Sequence, residues 1–477
     1  DRTPHPAMAE VKYAHQNVGF EAVDLSAGKF AVKNRFYFTG LKKYQINYAV
    51  KANGKVVRKG KTFLDIEPQG TQELTVNVAG LQPKAGTEYF VNFWVTTTEP
   101  EILIPVGHEI ASEQFRLPIE PLTVAEHKAS GKTNVTTEGD EVKVSSSKMQ
   151  FVFNKKSGLV TSYKVNGTEY FTEGFGIQPN FWRGPNDNDY GNGQPKREQI
   201  WKQSSKDFKV ADVITEADGN NTVLTANYLL AAGNLYIVKY TIYPDGVVHA
   251  DITFTSTDME EGKTEVSEAT LMATFSPGQQ EARRAASKLV VPRIGVRFRL
   301  PADMNQVEYF GRGPGENYID RQRANHIDLY KTTADAMYTD NYVRPQENGH
   351  RTDTRWVELT RKNGKGLKIV ADQTIGFNAL RNSVEDFDSE EAVGKLRQWN
   401  NFTPEEIANR SEEKAKDVLR HMTHINDITP RNFVEVCVDM KQQGVAGFNS
   451  WGDRPLAEHT MPANQEYKWG FTLIPVK

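Results

Sequence analysis

At 477 residues, with 38% hydrophobic and 25% charged side chains, the chain has the make-up of an ordinary globular protein and is too long for one compact core. Its formal net charge of −3 offers none of the basic surface that neutralises phosphates, so no nucleic-acid partner is expected. The single cysteine, Cys437, excludes an internal disulfide framework and a multi-cysteine metal centre. No apolar stretch approaches the ~18 residues of a membrane helix, so no membrane partner is expected either.

The opening octet, DRTPHPAM, has neither the charged start, the apolar middle nor the cleavage site of a secretory leader, and it lacks an initiator Met, as a processed fragment would. It leaves the compartment unassigned, cytoplasmic or periplasmic.

Apolar–polar alternation with β-branched and aromatic residues then dominates. Phe30–Phe38 (FAVKNRFYF), Tyr44–Lys51 (YQINYAVK) and Glu88–Thr96 (EYFVNFWVT) are predicted strands, and Asn53-Gly54 a tight hairpin turn, because both residue types tolerate positive φ. Residues 10–117 suffice for one sandwich of immunoglobulin-like size. Residues 118–147 turn polar, rich in Lys, Thr, Ser and Glu after Pro118 and Pro121, and read as a linker into a second domain.

Strand patterns resume over Gln150–Asn154, Gly158–Val165, Thr222–Leu230, Leu235–Tyr243, Val247–Phe254, Gly295–Leu300 and Phe433–Met440, with hairpin turns at Asn166-Gly167 and Asp245-Gly246. Cys437 lies in the last run, where a small packing side chain is expected. This much antiparallel strand exceeds a simple sandwich and predicts a two-sheet supersandwich. One helix is predicted from Thr403 to about Arg420, because Thr403-Pro404-Glu405-Glu406 supplies a capping Thr, a Pro at the first helical position and a Glu three residues after the cap.

Several segments stand out in order along the chain: DRTPHP at 1–6, FWRGPNDNDYG at 181–191, EYFGRGPGENYIDR at 308–321, YVRPQENGHRTDTRW at 342–356 and GVAGFNSWGDRP at 444–455. Together they resemble glycoside hydrolase family 2 β-galactosidases. Asp1–Pro6 (DRTPHP) is similar to the exit from that family's catalytic barrel. Phe181–Gly191 (FWRGPNDNDYG) resembles its Arg-x-Pro-x-Asp-Asn-Asp-x-Gly loop. Glu308–Arg321 (EYFGRGPGENYIDR) and Tyr342–Trp356 (YVRPQENGHRTDTRW) resemble a signature pair, and Gly444–Pro455 (GVAGFNSWGDRP) resembles the closing Gly-x-Gly-x-Asp-Ser-Trp-Gly motif.

The resemblance implies an all-β chain. Its parts are an immunoglobulin-like β-sandwich over 1–117, a linker over 118–135 and a galactose-mutarotase-like β-supersandwich over 136–477. It also implies hydrolysis of terminal β-D-galactosides with retention, by two glutamates on a barrel. No segment resembles the surroundings of either glutamate, and βα alternation is missing. No catalytic residue is therefore expected here; both are expected upstream of Asp1, and the isolated chain is expected to be inactive. The implied partners are a β-galactoside, the catalytic barrel and the N-terminal domains, with homo-oligomerisation left open. No cofactor is expected in this chain, while a divalent or monovalent cation is allowed in the whole enzyme.

Trp451 is the leading substrate-binding candidate, with Asn449 beside it. Sugars present apolar C–H faces, and an indole offers a flat partner and one N–H donor. The resemblance puts the motif's Trp at the sugar site, and Gly444, Gly447 and Gly452 suit a sharply bent loop. The competing reading is a core Trp between sheets. Phe448 and Asn449 stand where the family pattern has acidic residues, so contacts made by those acids are not expected to carry over.

The second candidate is the Arg183–Gly191 loop, as a domain contact or active-site loop. Pro185 and Gly191 shape its backbone, while Asp187, Asn188 and Asp189 either cap their own turn or meet a partner. A cation on Asp187 and Asp189 is a further option. A third set is Glu316, Asp320 and Glu347 with Arg321, Arg344 and Arg355. There Glu347 with His326 or His350 would serve as acid and base at an anomeric centre, against buried Arg–carboxylate pairs that hold strand ends. The other histidines lack metal-ligand spacing. Two functions compete with the enzyme portion: an independent carbohydrate-binding module and a mutarotase-type aldose epimerase. The barrel-exit segment favours the enzyme portion.

Overall fold

Strand alternation produces two separately packed β units, divided between His127 and Lys128, in a computed structural model that describes residues 2–255, 289–388, 424–449 and 452–477. The first unit also takes in residues 310–314 and 322–330. The predicted helix over 403–420 and Trp451 lie outside the described residues.

The first unit opens with a helix, α1 (Ala7–Ala14), which has no buried residue and so leaves no apolar stripe to read. Its strands are β1 (Val18–Asp24), β2 (Lys29–Asn34), β3 (Tyr44–Ala52), β4 (Lys55–Thr62), β5 (Thr71–Thr75), β6 (Tyr89–Thr97) and β7 (Glu109–Arg116). They form antiparallel sheets in the orders β1-β2-β5 and β4-β3-β6-β7, an immunoglobulin-like arrangement.

Inward residues interlock the sheets. Phe93 stacks on Phe20 at 4.6 Å and meets Phe30 edge-on at 4.9 Å. Burial of such side chains is worth roughly 1.5–3 kcal/mol each. β2 stops four residues short of the predicted Phe38. Its last residue, Asn34, accepts a hydrogen bond from the Phe36 N–H at 3.0 Å and donates to the carbonyls of Thr39 at 2.8 Å and Ile66 at 3.0 Å. That local bonding turns the chain out of the sheet and leaves Tyr37 and Phe38 exposed.

The second unit starts inside the stretch read as linker. β8 (Asn134–Glu138) and β9 (Glu141–Ser145) form a hairpin that buries Val142 and Val144. The polar composition misleads because β8 is an edge strand exposed along its whole length. With β10 (Met149–Asn154), β11 (Leu159–Val165) and β12 (Thr168–Glu169) it makes a sheet of order β12-β11-β10-β9-β8.

The larger sheet uses β13 (Gln178–Asn180), β14 (Lys209–Asp218), β15 (Asn221–Leu229), β16 (Leu235–Ile242), β17 (Val248–Phe254) and β18 (Arg293–Pro301). After the strands β19 (Gln306–Gly313) and β20 (His326–Thr333) come β21 (Arg351–Thr360), β22 (Gly366–Leu380), β23 (Phe433–Gln442) and β24 (Tyr467–Val476). The path is β13-β18-β23-β22-β24-β17-β16-β15-β14, with β21 beside β22.

Buried tyrosines join the two sheets: Tyr163 on β11 donates to the Gly246 carbonyl at 2.5 Å, and Tyr228 on β15 donates to Gly158 at 2.9 Å. Each ring thus supplies apolar area and satisfies a buried carbonyl. The Asn53-Gly54 and Asn166-Gly167 turns have both residues at positive φ, while at Asp245-Gly246 only the glycine does. Cys437 is buried in β23, as its strand pattern predicts.

Candidate functional site

The loop after β13 carries a fully enclosed charge. Arg183 is fully buried. Its Nε and Nη2 donate to the two oxygens of Asp189 at 3.1 and 3.0 Å. Nη1 donates to the Gln443 carbonyl at 2.8 Å and Nη2 to the Gly444 carbonyl at 3.0 Å. Burial works against the cation, but Asp189, with Glu347 and Tyr318 adding to it, outweighs burial and keeps the guanidinium above its ordinary value.

Asp189 lies in a one-turn helix, α2 (Asp187–Gly191), which Asn186 caps. The Asn186 side chain accepts from the Asp189 N–H, and the Asp189 carboxylate accepts from the Asn186 N–H. The structure therefore shows self-capping in this loop, and Asp189 serves both the cap and Arg183.

Asp187 stands at the surface, 3.8 Å from Arg344, which lies over the Tyr190 ring at 4.0 Å. Asp187 and Asp189 thus face different partners, and among the described residues they belong to no three-ligand group. Among the described residues such a group is His249, Asp251 and Asp372.

The same loop grips the closing motif. The Asn186 amide donates to the Val445 carbonyl at 3.0 Å, and the Asn188 amide donates to the Asn449 carbonyl at 3.0 Å. Gly452 sits at φ +117°, and a Cβ there would fall 2.4 Å from the Gly191 carbonyl carbon, so only glycine permits this approach.

From the other side Asp320 accepts the Val445 and Ala446 N–H groups at 3.1 and 2.9 Å. A Cβ on Gly444 would lie 2.4 Å from an Asp320 oxygen. Beyond these anchors the tip is open: Ala446, Gly447, Phe448 and Asn449 are exposed, Phe448 by 86%. The Asn449 amide donates to Asp453 at 2.8 Å.

The third set divides. Glu316 accepts from Arg321 at 2.5 Å, Thr339 Oγ1 at 2.8 Å and the Gly349 N–H at 2.9 Å, and it also pairs with the Tyr342 hydroxyl. It is a buried brace. Arg355 donates to the Asp353 carbonyl at 2.5 Å.

Glu347 is buried and accepts from Arg293 at 2.9 Å and from Asn378 and Gln442, both at 3.3 Å. His350 stacks on Tyr318 at 5.4 Å, and its Nδ1 is 3.7 Å from Asp439. Burial, with Arg293, Arg351 and Arg183 adding to it, keeps this imidazole well below its ordinary value and neutral. His326 falls in the first unit. Within the second unit Glu347 is engaged by Arg293 and two side-chain amides, the interior Arg–carboxylate arrangement that the sequence offered as the alternative to acid–base work.

Sequence reasoning passed over Arg293, Asp439, Gln442 and Gln443, which tie these segments together. Burial pushes the Asp439 carboxyl up to about 7, against the pull of Arg293 and with the push of Glu347. The available signal was charged residues recurring in strands that are otherwise β-branched and aromatic, Arg293, Arg297 and Arg299 in β18 and Glu435 and Asp439 in β23.

These motifs have counterparts. The beta galactosidase small chain family matches residues 145–473, and the family described as beta-galactosidase, domain 4, matches residues 30–118. A protein named beta-galactosidase from Priestia megaterium is 30% identical over 479 aligned positions, covering 100% of this chain and 40% of its own length. Another from Halalkalibacterium halodurans is 25% identical, covering 99% of this chain and 41% of its own length. The chain thus spans about 40% of the length of these curated relatives. A galactose 1-epimerase structure from Lactobacillus acidophilus aligns over 72% of this chain and 99% of its own at 9% identity and a TM-score of 0.34, too low to carry an argument. With its Arg183 loop and its Gly444–Pro455 segment inside the 145–473 match, the chain belongs to the beta galactosidase small chain family.

Proposed function

We propose that this chain is the C-terminal, non-catalytic portion of a retaining β-galactosidase. In this reading the 444–455 segment, held by the Arg183 loop, completes a galactoside site whose two catalytic carboxylates belong to another part of the whole protein. The observation that carries it is the Arg183 guanidinium, which joins Asp189 to the carbonyls of Gln443 and Gly444 and so stations an exposed tip on a rigid base. A sugar-contacting aromatic loses little entropy on binding when its support is already ordered. Trp451 is the side chain assigned to stack on the sugar, and Asn449 flanks it.

The test uses two proteins. The isolated chain should not turn over a chromogenic β-galactoside and should bind lactose no better than millimolar. In the whole protein, Trp451→Ala should raise KM by several-fold to roughly tenfold, the equivalent of ~1–1.4 kcal/mol, with a smaller effect on kcat. Unchanged kinetics would return Trp451 to a packing role. Tight lactose binding by the isolated chain would instead support an independent carbohydrate-binding module.

A further inference from the structure

We propose that His249, Asp251 and Asp372 form a site for a first-row divalent cation such as Zn2+ on the outward face of the larger sheet. There it would tie the last strand, β24, to both its neighbours. The strand register makes the case. In the β17–β24 pair, Asp251 lies opposite Gly470 and His249 opposite Thr472. In the β24–β22 pair, Phe471 lies opposite Ala371, which brings Asp372 level with Gly470. Asp251 and Asp372 therefore flank a glycine on the strand between them.

Carboxylates two strands apart start roughly 9–10 Å from each other, since neighbouring strands lie ~4.8 Å apart. They converge only if the residue between them has no side chain. A Cβ on Gly470 would fall 2.2 Å from Asp372 Oδ2, so the carboxylate occupies the space a side chain would fill. Gly470 is not among the positive-φ residues, so backbone conformation does not explain the choice of glycine. The gap does.

His249 completes the set. Its Nε2 is 3.2 Å from Asp251 Oδ1 and 3.6 Å from Asp372 Oδ2, and the ligand atoms all lie within 4.8 Å of one another. Metal bonds of ~2.0–2.2 Å in a tetrahedral arrangement put neighbouring ligands roughly 3.3–3.6 Å apart. The other ring nitrogen, Nδ1, is 3.0 Å from Thr472 Oγ1. A hydrogen bond donated there directs the Nε2 lone pair at the two carboxylates, as an outer partner does for a metal-bound imidazole. One imidazole with two carboxylates suits Zn2+, Mn2+, Co2+ or Ni2+ better than Mg2+. Side-chain exposures of 24% for His249, 54% for Asp251 and 41% for Asp372 leave room for entry and for a water as a further ligand. Lys239, in register with Asp251 on β16, is the competing cation.

Calorimetric titration of the full chain with ZnCl2 after removal of metals by chelation tests the site. One Zn2+ per chain at micromolar affinity is expected, with Mg2+ much weaker. His249→Ala and Asp372→Asn should each weaken Zn2+ binding at least tenfold, and Gly470→Ala should do so by displacing Asp372. His459→Ala, a surface histidine elsewhere, should change nothing. Melting in chelator checks that each variant folds. If Gly470→Ala does not fold, Thr472→Val replaces it, with an expected several-fold loss of affinity and no loss of fold. No saturable binding up to millimolar Zn2+, binding unchanged by His249→Ala, or equal binding of Mg2+ would overturn the assignment.

Discussion

Arg183 and Phe448 sit at opposite ends of one loop cluster. Arg183 has no solvent exposure and makes five hydrogen bonds, to Asp189, Gln442, Gln443 and Gly444. Phe448 is 86% exposed. The base spends charged groups on holding backbone carbonyls in place, while at the tip the Phe448 ring is left to solvent. Charged residues in a recognisable motif therefore need not be reactive, because a buried ion pair satisfied on every side has no capacity left for a substrate. The difference is one of burial: the Arg183 end is enclosed and bonded, and the 446–449 end faces solvent.

The sharpest way to break that contrast is at the base. Arg183→Met leaves Asp189 buried without its countercharge and should cost about 3–5 kcal/mol, read by urea denaturation. Adding Asp189→Asn should recover part of the loss, because an amide needs no countercharge. A cost below about 1 kcal/mol for Arg183→Met would show that the base is not held as described.

Next comes the pH response of the surrounding interior. Asp439 titrates at about 7 in the fold against an ordinary 3.8, because burial disfavours its charge. The folded state therefore keeps a proton that the unfolded chain releases. Its contribution is complete below the unfolded value and is lost as pH rises through about 7. Glu198, raised to about 7 by burial against the pull of Arg197, acts in the same direction. The Asp439 share of stability should fall by about 1–3 kcal/mol between pH 5 and 8. His350 and His326, which burial keeps neutral, oppose it below the ordinary histidine range, so it is read as the difference between the parent chain and an Asp439 variant. Asp439→Asn should flatten the decline; an unaltered slope in that variant would contradict the assignment.

A smaller effect separates base from tip. Asp320→Ala frees the Val445 and Ala446 amides on the side away from Arg183. It should cost about 1 kcal/mol, since those amides can be hydrated once released. Hydrogen exchange at these two amides should accelerate while β23 stays protected. The smallest change belongs to the tip: Phe448→Ser should alter stability by no more than ~0.5 kcal/mol. A larger loss would make Phe448 part of the base.

Local sequence marked some of the strands and turns, because alternation and Asn-Gly chemistry act within a few residues, and left others such as β1, β14, β21 and β24 unread. Ten predicted strands were legible in this way, and β2 ran shorter only because Asn34 bonds to its own neighbours. The same locality hid α1 and the β8–β9 hairpin, where exposed residues dilute the pattern. Motif resemblance marked the Arg183 loop and the 444–455 segment, but tertiary structure decided what they do together. Arg183 finds its carbonyl partners 260 and 261 residues away, and Glu347 meets Arg293 across 54. The Gly470 gap is likewise invisible along the chain, since it has meaning only when β22 and β17 lie on either side of β24. Hydrophobic periodicity is a property of neighbours in sequence, whereas a charge can be buried only where distant segments supply its partners.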